Sequence, residues 1–113
     1  MYYIGGAFNI FYSWVHHNDI YTSPDGDTWT QQPDGPWSIR AFGSAIKFNN
    51  KIYFMGGEYI NGVGVATYYN DMWSFDGNSG GNWVPFDNDL TVAGIQNPPW
   101  SARSHMTTTV YKN

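Results

Sequence analysis

Short apolar runs punctuated by polar turn residues recur along this chain, and the clearest instance is residues 44 to 57, SAIKFNNKIYFMGG. Two runs carrying β-branched or aromatic side chains flank Asn49-Asn50, a pair that tolerates positive φ, and this combination predicts a tight β-hairpin. Gly56-Gly57 follow the second run, where the missing Cβ permits a sharp departure of the chain or a close backbone approach. The stretches SPDGDTW (23 to 29) and FDGNSGGNW (75 to 83) each place Asp-Gly turn chemistry between an apolar run and a Trp-led run, which predicts two further hairpin links. The pattern therefore predicts four-stranded antiparallel meanders and no helix.

The pattern also repeats. YYIGG at Tyr2 to Gly6 returns as IYFMGG at Ile52 to Gly57, which sets the two Gly-Gly pairs 51 residues apart. NDIYTS at Asn18 returns as NDMWSF at Asn70, 52 residues on, and the Trp29 segment returns at Trp83 after 54. PWSIRAFGSAIKF from Pro36 returns as PWSARSHMTTTVY from Pro99 after 63, because DNDLTVAGIQNP lengthens the second copy. Segments recurring in one order at a period near 50, built from short strands, point to a propeller blade or a similar array. The two ends of the chain, TTTVYKN and MYYIGG, read like the halves of the intact hairpin. Arg40 to Gly56 spans 16 residues, and Arg103 through Asn113 and on from Met1 to Gly5 spans 15.

Composition sharpens this picture. The 113 residues suffice for one domain but lie near the low end for burying a core alone, so closure by association becomes relevant. Aromatics reach 19% and Gly 13 residues while helix formers are scarce, which favours strands and turns. A net charge of -4 without any Lys or Arg run excludes an electrostatic footprint for nucleic acid. The absence of cysteine removes disulfides, thiolate catalysis and Cys-based zinc sites. No apolar stretch approaches the ~20 residues of a membrane-spanning helix, and no signal peptide is visible, so the expected location is cytoplasmic by default.

The ordered motifs resemble kelch repeats. The intact copy runs from Arg40 and Gly43, through Ile52, Tyr53, Phe54, Met55, Gly56 and Gly57, to Asn70, Asp71, Trp73 and Trp83. The resemblance implies an all-β, kelch-type β-propeller with two four-stranded blade equivalents per chain, closed into a ring by homo-oligomerisation. With strands labelled a to d from the propeller axis outward, residues 1–113 then form one unit of two repeats. Strands b-c-d of one blade occupy about 2–35, a full blade about 36–98, and strand a of the next blade about 99–113. The last strand, about Ser104 to Tyr111, is expected to add to the N-terminal blade of a neighbouring copy. Three copies would give six blades, the preferred number, and four would give eight. The alternative is a structural or excerpted propeller fragment with no ligand of its own.

Candidate chemistry is sparse. Trp37, Ser38 and Arg40 recur as Trp100, Ser101 and Arg103, and the resemblance places the start of each strand a at the channel mouth, where His105 joins the second set. Arg offers a planar five-donor fork for carboxylates and Trp a stacking face, so these seven residues form the candidate ligand site; the competing reading is that they hold loops and pack between blades. Adjacent histidines His16 and His17 would point to opposite faces of a strand and are read as a solvated loop pair, so no metal is expected. SPDGDTWT resembles the Asp-box turns of sialidase-type propellers but lacks one residue between Asp25 and Gly26. Asp34, Asp87 and Asp89 read as ordinary loop acids, with no ordered calcium-ligand series. The copper chemistry of galactose-oxidase-like relatives needs a cysteine, and a sialidase-like mechanism needs more acids than the single Glu58 and more than two arginines. The expected function is a non-catalytic recognition scaffold, without cofactor, for a protein, peptide or glycan, with a carbohydrate-binding lectin as the alternative. The links Ala7 to Asn18 and Glu58 to Asn70 read as long loops carrying Phe11, Tyr12, Trp14, Tyr68 and Tyr69.

Overall fold

The computed structural model describes residues 1–11, 13–77, 82–86, 98 and 100–111. It is all-β with antiparallel sheets, and the described residues contain no α-helix. The strands are β1 (Tyr2–Ile10), β2 (Ser13–Thr22), β3 (Thr30–Gln32), β4 (Ser44–Phe48), β5 (Lys51–Met55), β6 (Glu58–Ile60), β7 (Ala66–Tyr68), β8 (Met72–Phe75) and β9 (Val84–Pro85). They fall into two compact units, one of Met1–Ala41 with Tyr59–Thr67, the other of Phe42–Glu58 with the described residues from Tyr68 onward.

In the first unit, β1, β2 and β3 form one sheet in that order. Pairing runs from Tyr2 opposite Thr22 to Ile4 opposite Ile20, shifts register between Ile4 and Gly6, and resumes from Gly6 opposite His17 to Ile10 opposite Ser13. Gly5 and Gly6 adopt φ of 55° and 140°. Only glycine occupies the second value without strain, and the pair absorbs the irregularity so that the ladder continues beyond it. Residues 7 to 18, read above as a loop, are therefore mostly strand, and Tyr12 lies outside the described residues. Among the described residues of this unit, Ile20, Trp37 and Ala41 are the buried apolar side chains. The body of the β6-β7 hairpin belongs to the same unit.

In the second unit, β4, β5, β8 and β9 form a four-stranded antiparallel sheet in that order. Asn49 and Asn50 make the first turn with φ of 46° and 60°, the double positive φ that matches the right-handed twist of two-residue hairpins. The ladder closes with Phe48 opposite Lys51. Along β5, Ile52 and Phe54 are buried while Tyr53 and Met55 are only partly covered, the period of two that a half-buried strand requires. Trp73 faces Phe54 on one side and Pro85 on the other. Of the turn FDGNSGGNW, residues 78 to 81 lie outside the described residues, as do Asp87 and Asp89 in the long insertion. The stretch Ser104 to Tyr111, expected as a strand donated to another copy, forms no strand within this chain.

Candidate functional site

The repeated Trp-Ser-x-Arg segments fold into the same local corner twice. In the first, the Arg40 Nε donates to the Ser38 carbonyl at 3.0 Å, and the Asn18 Nδ2 donates to the carbonyls of Gly35 at 2.8 Å and Trp37 at 3.3 Å. In the second, the Arg103 Nε donates to the Ser101 carbonyl at 2.9 Å, and the Asn70 Nδ2 donates to the Trp100 carbonyl at 3.3 Å. The repeated asparagine thus caps carbonyls of the repeated corner, a primary amide having two N–H donors to offer.

The Gly-Gly pairs sit against these corners. A Cβ on Gly5 would lie 2.7 Å from the His17 carbonyl oxygen and 3.5 Å from that of Arg40. A Cβ on Gly56 would lie 2.8 Å from the Arg103 carbonyl and 3.4 Å from that of Tyr69. The Gly57 amide donates to the Arg103 carbonyl and the Arg103 amide to the Tyr69 carbonyl, each at 3.0 Å. Two residues past each arginine the backbone turns left-handed at a non-glycine residue, with φ of 56° at Phe42 and 55° at His105. Such a φ costs roughly 1–2 kcal/mol away from glycine, so surrounding bonds must hold it at both places.

Of the seven candidate residues, Trp37 and Arg40 are 4% and 3% exposed, while Ser38 is exposed. Trp100 is half-buried, and Ser101, Arg103 and His105 are exposed. Arg40 and Arg103 each spend their Nε on the backbone of their own corner, and Arg103 also places its Nη2 3.1 Å from the Ser101 Oγ. Outward-facing donors remain at the second corner.

Beside that corner lies a cluster the sequence did not signal. Glu58 is buried, and its Oε2 accepts a short 2.5 Å hydrogen bond from the Ser104 Oγ. The His105 Nδ1 lies 3.0 Å from the same Oγ and 4.0 Å from the carboxylate, and its ring stacks on Phe42 with centroids 4.2 Å apart. The Ser104 proton is given to the carboxylate, so the imidazole can only donate to the hydroxyl from Nδ1–H. The chain His105 to Ser104 to Glu58 ties the corner to the start of β6.

The histidine pair differs from its sequence reading as a solvated loop. Both residues lie in β2, His16 buried and His17 half-buried. The His16 Nε2 accepts from the Ile60 amide at 3.3 Å, and its ring lies 5.0 Å from Tyr59. His17 stacks on Phe8 at 5.5 Å. His16 thus anchors the second repeat's hairpin on the first repeat's arm within one unit. Neither arm has a charged side chain between Ala7 and Val15 or between Tyr59 and Tyr69. Their tips are open, with Phe11 94% and Val63 84% exposed.

The shortened Asp-box segment is a turn held by its own side chains. The Asp25 Oδ1 accepts from the amides of Asp27 at 2.9 Å and Thr28 at 3.0 Å and from the Ser23 Oγ at 3.1 Å. Those bonds, the Thr28 amide first, lower the Asp25 pKa. The Trp29 indole donates to the Gly26 carbonyl at 3.0 Å. Compared with protein-family models and with curated proteins, the chain finds no match.

Proposed function

We propose that this chain is a non-catalytic recognition scaffold of kelch-like blades that closes into a ring by self-association. Three copies would supply six blades, and four would supply eight. The observation that carries this reading is a contrast inside each repeat. The Gly-Gly and Trp-Ser-x-Arg corner is spent on main-chain bonds, whereas the adjoining hairpin arm presents uncharged apolar side chains to solvent. Elements fixed by backbone bonding are architectural, and exposed apolar tips on a rigid sheet suit recognition. Ser101, Arg103 and His105 are a second, polar contact region for an acidic or hydroxylated group.

An uncharged arm suits an uncharged surface, whether an apolar peptide segment or a neutral sugar face stacked on Trp14 or Tyr59. A thermal-shift panel of neutral glycans and of peptides tests the reading. A ligand that binds only the folded state raises stability by about 2.7 kcal/mol at a hundred times its Kd. The expected result is a saturable rise with one ligand class, abolished in the double variant Phe11→Ser, Val63→Ser, which alters tips without touching either corner. If no ligand raises the melting temperature, or the double variant responds as the parent does, the recognition reading falls. A response to sugars alone would favour the lectin.

A further inference from the structure

In the second unit, residues equivalent by the 63-residue repeat lie side by side. Phe42 and His105 are equivalents and stack at 4.2 Å with planes 16° apart. Ala45 and Thr108 are equivalents, and the Thr108 Oγ1 lies 3.3 Å from the Ala45 carbonyl and 3.0 Å from the Ser44 Oγ. The His105 amide also donates to the Phe42 carbonyl at 2.9 Å. Tandem units stack in this way, like residue against like residue. Ser104–Tyr111 therefore runs beside β4 where the first strand of a following unit would stand, yet no sheet continues from it within the described residues. Thr107 to Tyr111 are all β-branched or aromatic, a composition that favours a strand. Against β4 and β5 this segment leaves an apolar groove of about 380 Å³, lined by Ile46, Phe48, Tyr53, Met72 and Val110 among others.

The first unit offers the complement. There β1 is an edge strand, and its repeat equivalent β5 carries β4 on the corresponding edge. Neither Thr107 to Tyr111 nor Tyr2 to Ala7 has a charged side chain, so pairing them would bury no charge.

Resting on the self-assembling reading above, we infer that a second copy of this chain occupies the groove, docking β1 on the segment 107–111 so that one copy's last segment and the other's β1-β2-β3 make one four-stranded sheet. The register follows from β4 on β5, where Ser44 faces Met55, Ala45 faces Phe54 and Ile46 faces Tyr53. Carried over by the repeat offsets, Thr107 faces Ile4, Thr108 faces Tyr3, and Thr109 faces Tyr2 of the second copy.

The chain has no cysteine, so single substitutions report cleanly. Chains carrying Tyr3→Cys or Tyr2→Cys are mixed with chains carrying Thr108→Cys or Thr109→Cys and oxidised mildly, and the mixed disulfide is identified by peptide mass. Directly opposed strand residues fall within disulfide reach, whereas a one-residue offset points to the other face. The in-register pairs 3 with 108 and 2 with 109 should link about tenfold faster than the offset pairs 3 with 109 and 2 with 108. Equal linking in all four mixtures, or preferred linking of the offset pairs, overturns the register. Native mass is the second measurement. The parent should run as a single multiple of 12.8 kDa, and Thr108→Pro, which removes a ladder donor, should run as the monomer. A monomeric parent overturns the docking itself. Ligand response is read separately, so a linked multimer that binds nothing would sink the recognition reading and leave this register standing.

Discussion

The corner at Trp37 to Arg40 and the corner at Trp100 to Arg103 have matching hydrogen bonds and opposite surroundings. Both arginines bind the carbonyl two residues back, and both tryptophan carbonyls accept from the repeated asparagine. Yet Arg40 is buried and Arg103 is exposed. The difference teaches that the shape of the corner is set by short-range bonds, while burial depends on what is laid over it. A motif that keeps its geometry without cover is already formed for docking, and the cost of ordering it on association is small.

The hardest break of this likeness is at the glycines. Gly5→Val and Gly56→Val should each cost about 3 kcal/mol in urea titration, since a β-branched residue at positive φ meets backbone carbonyl oxygens, of His17 at the first and of Arg103 at the second. Comparable losses would show that both corners depend on the same close approach. A loss at only one would separate them.

Next in size is the arginine pair. Arg40→Ala should destabilise by about 2 kcal/mol or more, because it empties a buried site and takes the donor from the Ser38 carbonyl, and Arg103→Ala by less than about 0.5 kcal/mol. In dilute solution, equal costs would contradict the claim that cover distinguishes them. A smaller contrast lies between Asp71 and Asp19. The Asp71 Oδ2 accepts from the Trp73 indole at 2.9 Å, but at the equivalent place Tyr21 has no such donor, and the buried Asp19 Oδ1 has no hydrogen-bond partner. Tyr21→Trp should therefore raise stability by roughly 1 kcal/mol, and Asp19→Ala in that background should remove the gain.

The smallest effect concerns acid. Asp25 has a folded-state pKa below its ordinary value of 3.8, so its contribution is complete above that value and fades as pH falls through the lower, folded one. The stability difference between the parent and Asp25→Asn should hold from pH 7 to about 5 and shrink as pH falls below about 4. A difference that grows on acidification would reverse the assigned sign.

Much of the sheet was legible along the chain. Asn49-Asn50 between two apolar runs specified a hairpin whose turn has the two positive φ values such a pair permits. The arms were not legible, because the residues after each Gly-Gly pair read as a loop joining two strands. In the fold Gly5-Gly6 form an irregularity in β1, after which pairing resumes. The stretch beyond them, Ala7 to Val15, lacks the strict alternation of apolar and polar residues that marks a half-buried strand. The repeated Trp, Ser and Arg were visible, but their division into buried and exposed copies was not, since two identical motifs contain no information about their cover. The asparagine bonds to carbonyls 17 to 30 residues away left only the recurrence of Asn-Asp as a trace. Glu58 gave no sign at all of its burial against Ser104.

From Ala7 to Val15 and from Tyr59 to Tyr69 the hairpin arms contain no Asp, Glu, Lys or Arg, and this governs how a complex formed there would behave during purification. Raising ionic strength shortens the reach of charge–charge attraction and leaves apolar contact untouched, and sulfate strengthens it. A partner held by Phe11, Trp14 and Val63 would stay on the protein through a molar sodium chloride wash and elute with a mild organic modifier, whereas one held at Arg103 would leave first.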